Sequence, residues 1–357
     1  MSERVRRLRQ LIDESQVDCL LVTGRENVRY LSGFTGSSGT LLIGAAVAQL
    51  LTDARYTTQA RSEAPGFEIV NVENSWVELA AELLPDRTCR VVGFESEHVT
   101  HQQFLRMQET LSMVELKPLK NLVEGLRQVK DEEEVREIRW AVGLVDRAFS
   151  WFLDRVQPGR KERDLALELE FHLRRQGAEE MAFDTILASG ARSALPHGRP
   201  SDKVLEAGDL VLLDCGVVHK GYCSDFSRTV LVGSDPEPWQ NEIYRVVLAA
   251  QEAGIGMIRA GAKAADVDAR VRAVIEEHGF GDYFGHSTGH GLGVQVHEAP
   301  RMSRFSEETL QAGMVVTVEP GIYLPDHGGV RIEDVVVVRE DGAEVLTGTP
   351  KDRLLCV

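Results

Sequence analysis

Four carboxylates in two look-alike stretches are the part of this sequence best equipped for chemistry. Ala207–Val232 (AGDLVLLDCGVVHKGYCSDFSRTVLV) and Ala312–Val338 (AGMVVTVEPGIYLPDHGGVRIEDVVVV) follow one plan. An Ala-Gly pair opens each, an apolar run follows, and an acid stands seven residues after the alanine: Asp214 in the first, Glu319 in the second. A glycine comes two residues later (Gly216, Gly321), and another glycine (Gly221, Gly329) precedes a second acid, Asp225 or Glu333, by four residues. The spacing predicts a β-hairpin in each copy, with one carboxylate on each arm. Runs such as Val-Leu-Leu and Val-Thr-Val belong in a core, where an unpaired carboxylate is costly. Four such acids, duplicated in order, call for concentrated positive charge, and metal ions supply it.

Histidines extend the set. His197 stands in ASGARSALPHGRP, ahead of the first copy; His286, His290 and His297 stand in GHSTGHGLGVQVHE, ahead of the second. Gly281, Gly285, Gly289, Gly291 and Gly293 surround His286 and His290 and let backbone and substrate come close to the rings. The apolar run around His297 predicts a buried, oriented ring in a strand. His101, His172, His219 and His278 read as ordinary core or surface residues. Four carboxylates and a neutral imidazole carry four negative charges, which two divalent ions neutralise. With two ions, one or two of the acids must bridge. Oxygen-rich ligation with a single histidine favours Mn²⁺, Co²⁺ or Fe²⁺ over a thiolate-type structural Zn²⁺ site, and Zn²⁺ remains an alternative. Such a pair can acidify a shared water and polarise a carbonyl, the chemistry of a hydrolase.

The elements that must position these groups fall into two parts. Residues 1–118 read as an α/β domain, with strands at Val17–Gly24, Gly39–Gly44, Ala48–Thr52, Glu68–Val72 and Arg90–Phe94. Helices are predicted near Glu3–Glu14, Thr57–Ser62, Trp76–Leu83 and His101–Glu109, and loops at Asn27–Tyr30 and Phe34–Gly39. The loop FTGSSG lacks the pattern of a phosphate cradle, and Arg55 reads as a salt-bridge partner. Residues 119–130 read as a linker into helical pattern, and residues 131–357 as a second domain. Its first helix, Lys130–Val156, has acids in the first turn and apolar residues at helical spacing, with Trp140, Phe149, Trp151 and Phe152 assigned to core. The order helix, helix, hairpin then recurs: Glu162–Gln176 before the first hairpin, and Glu237–Arg259 with Ala265–His278 before the second. The second domain therefore reads as two similar halves sharing one site.

Composition sets the outer bounds. A chain of 357 residues, 43% hydrophobic and 27% charged, has ample material for two globular domains. A net charge of −16 argues against nucleic-acid or anionic-membrane surfaces, which need basic patches. The charged start MSERVRRLRQLIDESQ lacks the apolar segment of a signal peptide, and Leu41–Leu51 is too short to span a bilayer. Five cysteines (Cys19, Cys89, Cys215, Cys223, Cys356) without a CxxC pair read as reduced thiols in a cytoplasmic protein.

The ordered set Asp214, Asp225, His290, Glu319, Glu333 resembles the five-ligand signature of the pita-bread metallopeptidases, the group of methionine aminopeptidase, aminopeptidase P and prolidase. The strings LLDCG, YCSDFSRT, HSTGHGLG, VEPGIY and GVRIED carry the resemblance. A long N-terminal domain, with Lys130 and Glu134 after its linker, resembles the proline-specific branch. The resemblance implies an α/β N-terminal domain and an α+β catalytic domain, duplicated about a pseudo-twofold axis. It implies that Asp225 and Glu333 bridge two ions, Mn²⁺ first among the candidates, that Asp214 chelates one and that His290 with Glu319 completes the other. Glu319 would also shuttle a proton, while His197, His286 and His297 contact substrate, supported by Tyr323 and Arg331. The implied reaction is removal of an N-terminal residue before proline from peptides with proline second. NVRYLSGFTGSSGTLLI and LLTDARYTTQA tilt the reading to aminopeptidase P. Arg301 matches a prolidase residue for the C-terminal carboxylate and keeps the Xaa-Pro dipeptidase open. Methionine aminopeptidase, a creatine-hydrolysing relative and a non-catalytic peptide-binding scaffold rank lower. A homodimer is the implied assembly.

Overall fold

A computed structural model of the chain describes residues 2–84 and 89–357. The chain divides into two compact units between Arg127 and Gln128.

The first unit is a mixed six-stranded sheet with helices in its connections. Helix α1 (Glu3–Glu14) starts where the Ser2 hydroxyl accepts from the Val5 N–H, and it buries Val5, Leu8 and Ile12. The strands are β1 (Cys19–Val22), β2 (Thr40–Gly44), β3 (Ala48–Thr52), β4 (Glu68–Asn71), β5 (Val91–Glu95) and β6 (Glu115–Leu119), in spatial order β4-β3-β2-β1-β5-β6. The remaining helices are α2 (Arg25–Ser32), α3 (Thr57–Glu63), α4 (Trp76–Leu83), α5 (His101–Thr110) and α6 (Leu122–Gln128).

Three expectations are corrected here. Asn27–Tyr30 lies inside helix α2, not in a loop. Gly24 precedes that helix without a side-chain cap; instead the Glu95 carboxylate accepts from the N–H groups of Thr23 (2.6 Å) and Gly24 (2.7 Å) and from Asn27 Nδ2 (2.6 Å). His98 and Glu124 extend this network through a 2.9 Å contact. The three residues could surround an ion, yet their polar atoms are already engaged by Thr23, Gly24, Asn27 and one another. The second correction is β6, a strand where the helical pattern was expected to begin. Its Pro118 is tolerated because β6 is the edge of the sheet. Third, Cys19 and Cys89 are joined in a disulfide, so the five thiols are not all reduced; Cys215, Cys223 and Cys356 are free. Arg55 pairs with Asp53 at 2.8 Å as expected.

The second unit opens on α7 (Glu132–Leu153). Asp131 and Glu134 form a capping box, and residues 135, 138, 142, 145, 149 and 152 are buried along one stripe. Phe149 and Phe152 are core, but Trp140 is exposed and stacks on His219, and half-buried Trp151 stacks on His172. Helix α8 (Glu162–Arg175) follows, then β7 (Glu180–Met181), β8 (Ile186–Ser189), β9 (Leu210–Asp214), β10 (Val217–His219), β11 (Tyr222–Cys223) and β12 (Ser227–Leu231). The second half repeats this with α9 (Pro238–Ile255), α10 (Ala264–Glu277), β13 (Gly289–Gly291), β14 (Glu298–Met302), β15 (Val315–Val318), β16 (Gly321–Leu324), β17 (Gly328–Arg331) and β18 (Asp334–Val338). Strands β19 (Ala343–Val345) and β20 (Leu355–Cys356) finish the two sheets.

The duplication is visible in the pairing. β8–β9–β12 and β13–β15–β18 are matching antiparallel triplets. Within each repeat the hairpin breaks and its middle forms a separate antiparallel pair, β10 with β11 and β16 with β17. Asp214 ends β9, Asp225 stands just before β12, Glu319 follows β15 and Glu333 precedes β18. Each carboxylate therefore stands where a strand leaves its sheet.

Candidate metal centre

The two breaks face each other because the repeats are stitched together by buried polar bonds. Arg228, on β12, donates to Asp334 at 2.8 Å and to the Glu333 carbonyl. The Glu333 N–H donates to the Ser227 carbonyl at 3.1 Å, and the Arg331 N–H to Thr229 Oγ1 at 3.1 Å. Asp214, Asp225, His290 and Glu333 are buried there, and Glu319 is half-buried. All five line or adjoin a cavity of about 700 Å³, whose wall includes Asp214, Asp225, His290 and Glu319.

The imidazole is oriented by its backbone surroundings. His290 Nδ1 lies 3.1 Å from the Gly291 carbonyl, so Nδ1 carries the hydrogen. Nε2 then points at the acids, 3.3 Å from Glu319 and 3.5 Å from Asp225. Gly289 permits the approach: a Cβ there would lie 2.0 Å from the Thr317 carbonyl oxygen. Thr317 Oγ1 accepts from the His290 N–H at 3.1 Å and reaches Glu319 at 3.4 Å, joining β13 to β15.

The charge balance calls for cations. Burial, and next the charges of neighbouring acids, push Asp225 and Glu333 well above the ordinary carboxylate range. Asp214 is also raised, chiefly by burial, against the pull of Arg331. Burial opposes charge on His290, but Glu319 and Asp225 outweigh it and hold the ring above its ordinary value. Asp214 Oδ1 and Glu333 Oε1 are buried with no hydrogen-bond partner among the described residues. Asp225, His290 and Glu333 each offer a ligand atom within 4.8 Å of the others. Orphaned buried oxygens beside an inward-facing imidazole nitrogen fit divalent ions. Asp214, Asp225, His290, Glu319 and Glu333 could hold them.

The expected supporting residues converge as well. Arg331, fully buried, donates to Asp214, to Tyr323 Oη (2.8 Å), to Ser227 Oγ (2.9 Å) and to the Pro196 carbonyl (3.1 Å). Tyr323 Oη in turn lies 2.8 Å from His286 Nε2, and His286 Nδ1 lies 2.9 Å from the Ser287 carbonyl. Both nitrogens of His286 are thus engaged inside the protein. His197 and His297 are exposed on the cavity wall. For His297 this corrects the buried-strand expectation: it sits in a bend just before β14, its ring 4.3 Å from that of His290. Arg301 is exposed and also lines the cavity. Phe183, Ile186 and Val296, unremarked in the sequence, supply the apolar part of the wall. The duplicated pattern carried no signal for them, since they lie outside the two look-alike stretches Ala207–Val232 and Ala312–Val338.

Comparison with known proteins agrees with this arrangement. Residues 136–340 match the model of metallopeptidase family M24, and residues 4–129 match the creatinase/prolidase N-terminal domain. The chain is 38% identical over 357 residues to the Xaa-Pro dipeptidase of Pyrococcus furiosus, covering 99% of this chain and 100% of that one. A solved Xaa-Pro dipeptidase from Bacillus anthracis superposes with a TM-score of 0.96 at 44% identity, covering 99% of both chains. An X-Pro aminopeptidase from Thermotoga maritima gives 0.92 at 38% identity, again with 99% of both. Three buried acids and a half-buried one at the breaks of a duplicated hairpin, faced by a buried histidine, in a chain matched over nearly its whole length, place this protein in metallopeptidase family M24, as a peptide-bond hydrolase of the pita-bread fold.

Proposed function

We propose that the protein is an Xaa-Pro dipeptidase. The observation that carries the proposal is the polarity of the cavity. Acids occupy its depth, while Arg301, in no ion pair with another described residue, stands on its wall with Arg199, whose partner Asp184 is itself exposed. A free amino terminus suits the acidic end and a nearby C-terminal carboxylate the basic one, which selects a short zwitterion. The dipeptidases of P. furiosus and B. anthracis, so named, support the same reading. The aminopeptidase P reading, favoured by the first-third motifs, has the T. maritima neighbour on its side.

In this reading Asp214, Asp225, His290, Glu319 and Glu333 hold two divalent ions, with Mn²⁺ first among the candidates. When bound, the ions supply Lewis acidity and a water of lowered pKa. Glu319 takes the proton of the attacking water on its carboxylate, and delivers it to the prolyl nitrogen as the C–N bond breaks. Proline gives a tertiary amide without an N–H, so the site must hold the substrate by its carbonyl and ring. His197 and His297, which line the cavity, donate in this reading to the carbonyl oxygen as charge develops there. His286, with both nitrogens engaged, acts through its ring face and as the far end of the Arg331–Tyr323 chain. A cytoplasmic homodimer completes the reading, and a gel-filtration mass of one 39.6 kDa chain would count against it.

The test compares Xaa-Pro with Xaa-Pro-amide. Arg301→Ala should raise KM for the dipeptide about tenfold or more and leave the amide unchanged, since only the carboxylate is lost. Equal effects on both would remove Arg301 as the carboxylate contact. Release of the first residue from Xaa-Pro-Xaa at the dipeptide's rate would favour aminopeptidase P.

A further inference from the structure

The segment that carries His297 is wrapped around a buried carboxylate. Glu298, the first residue of β14, follows His297 and pairs across to Gly291, next to His290. Its side chain is 5% exposed, and one oxygen accepts from the Gln295 N–H at 3.0 Å. Gly293 N–H bonds the Gln295 carbonyl at 3.0 Å, closing a tight turn between β13 and β14. A Cβ at Gly293 would lie 2.6 Å from the other Glu298 oxygen, so a larger residue there would push against the carboxylate. Val296 and His297, on the same turn, and Glu298 itself line the cavity, whereas Lys130 does not.

The carboxylate inside this turn is neutralised from a distant point in the sequence. Lys130 Nζ lies 3.1 Å from Glu298 Oε2 and 3.2 Å from the Gln128 carbonyl, and its side chain is 1% exposed. Lys130 is itself fixed: its N–H donates to the Gly313 carbonyl at 2.9 Å, and Val129 bridges Met314 at the entry to β15, the strand that leads to Glu319. The ammonium thus ties the His297 turn to the start of a ligand-bearing strand without lining the cavity or bonding any of the five candidate ligands.

We propose that the Lys130–Glu298 ion pair is a positioning device for His297. It sets the imidazole against the cavity, so that breaking the pair displaces this substrate contact and leaves the metal ligands in place. The inference rests on the reading of His297 as a substrate contact. A buried pair is the right device for this purpose, because removing either partner leaves a charge that pulls the turn toward water. A displacement on the order of 1 Å at a substrate-orienting group can cost about 100-fold in rate.

The experiment uses the full-length, metal-loaded protein with Lys130→Met, Glu298→Gln and His297→Ala, and the Lys130→Met/His297→Ala double variant. Glu298→Gln keeps the volume and the acceptor for Gln295, so it reports on the charge if Lys130→Met folds poorly. Each of the two pair variants should lose roughly 10- to 100-fold in kcat/KM on Xaa-Pro at wild-type metal content. In the His297→Ala background, Lys130→Met should add less than about twofold, because a device acting through His297 has nothing left to act on. The His297 ring Cε1–H resonance of the zinc-loaded protein should move in Lys130→Met. Losses that multiply in the double variant, loss of metal, or an unmoved His297 resonance would each overturn the inference. A wild-type protein that fails to hydrolyse Xaa-Pro would instead count against the proposed function, and the resonance would still decide the inference.

Discussion

Arg331→Met is the substitution that most fully exposes the electrostatics of the site. Methionine keeps most of the arginine stem and removes the one guanidinium that touches Asp214 among the described residues. Four bonds disappear: to Asp214, Tyr323 Oη, Ser227 Oγ and the Pro196 carbonyl. Asp214 Oδ1 already lacks a partner, so the variant leaves both carboxylate oxygens bare in a buried place. Breaking one side of a buried ion pair costs about 3–5 kcal/mol. The unit concerned spans Gln128–Val357, a size at which 1 kcal/mol moves Tm by roughly 2–4 °C. The metal-free variant should therefore unfold about 6–20 °C below the metal-free wild type in scanning calorimetry. Restoring metal should narrow the gap, because a divalent ion beside Asp214 supplies the missing positive charge. Activity should nonetheless stay about 10- to 100-fold down, since Tyr323 and His286 have lost the donor that orients them. A metal-free shift below about 2 °C, or a gap that metal does not narrow, would refute the argument that Arg331 compensates a buried charge.

Chelation of the wild type should abolish activity and lower the calorimetric transition. Ligand at about 100 times its Kd stabilises by roughly 2.7 kcal/mol, so a drop of about 5–11 °C that reverses on adding metal is expected; an unchanged transition would mean the acids hold no ion. Gly289→Ala places a Cβ against the Thr317 carbonyl and must displace His290 or β15, so metal content by atomic emission should fall, and wild-type occupancy would contradict the role given to Gly289. In the first unit, burial lowers the pKa of His98, but the contacts with Glu124 and Glu95 outweigh it and the net shift is upward. The folded state thus favours protonated His98, and that stability is fully present below the ordinary value of 6.5 and is lost as pH rises through the folded value. His98→Gln should flatten this part of the Tm-against-pH curve, and an unaltered slope would show that His98 does not set it.

The sequence made the chemistry legible earlier than the architecture. Acids embedded in Val- and Leu-rich runs are expensive, so their repetition in order pointed to the site without knowledge of the fold. Local periodicity could not show that each hairpin splits at its acids into outer and inner pairs, since both arms read as strand on either side of the break. Helix α2 escaped notice because no serine or aspartate caps it beside Gly24; the N–H groups just ahead of it are held instead by the Glu95 carboxylate, far along the chain. Strand β6 was masked by Pro118, whose acceptance depends on an edge position that only the sheet order reveals. The apolar letters around His297 suggested burial, but the turn around Glu298 faces the ring into the cavity. The partnership of Lys130 with Glu298, and of Cys19 with Cys89, joins residues too far apart in sequence for spacing to announce.

The most direct measurement is release of proline from an Xaa-Pro dipeptide by protein first stripped of metal and then given Mn²⁺, Co²⁺ or Zn²⁺, with Glu319→Ala in parallel. Hydrolysis that is absent without metal, returns with it, and fails in a folded Glu319→Ala variant is the predicted result. Metal-restored wild-type protein that leaves Xaa-Pro intact, or a Glu319→Ala variant of undiminished activity, would contradict the account.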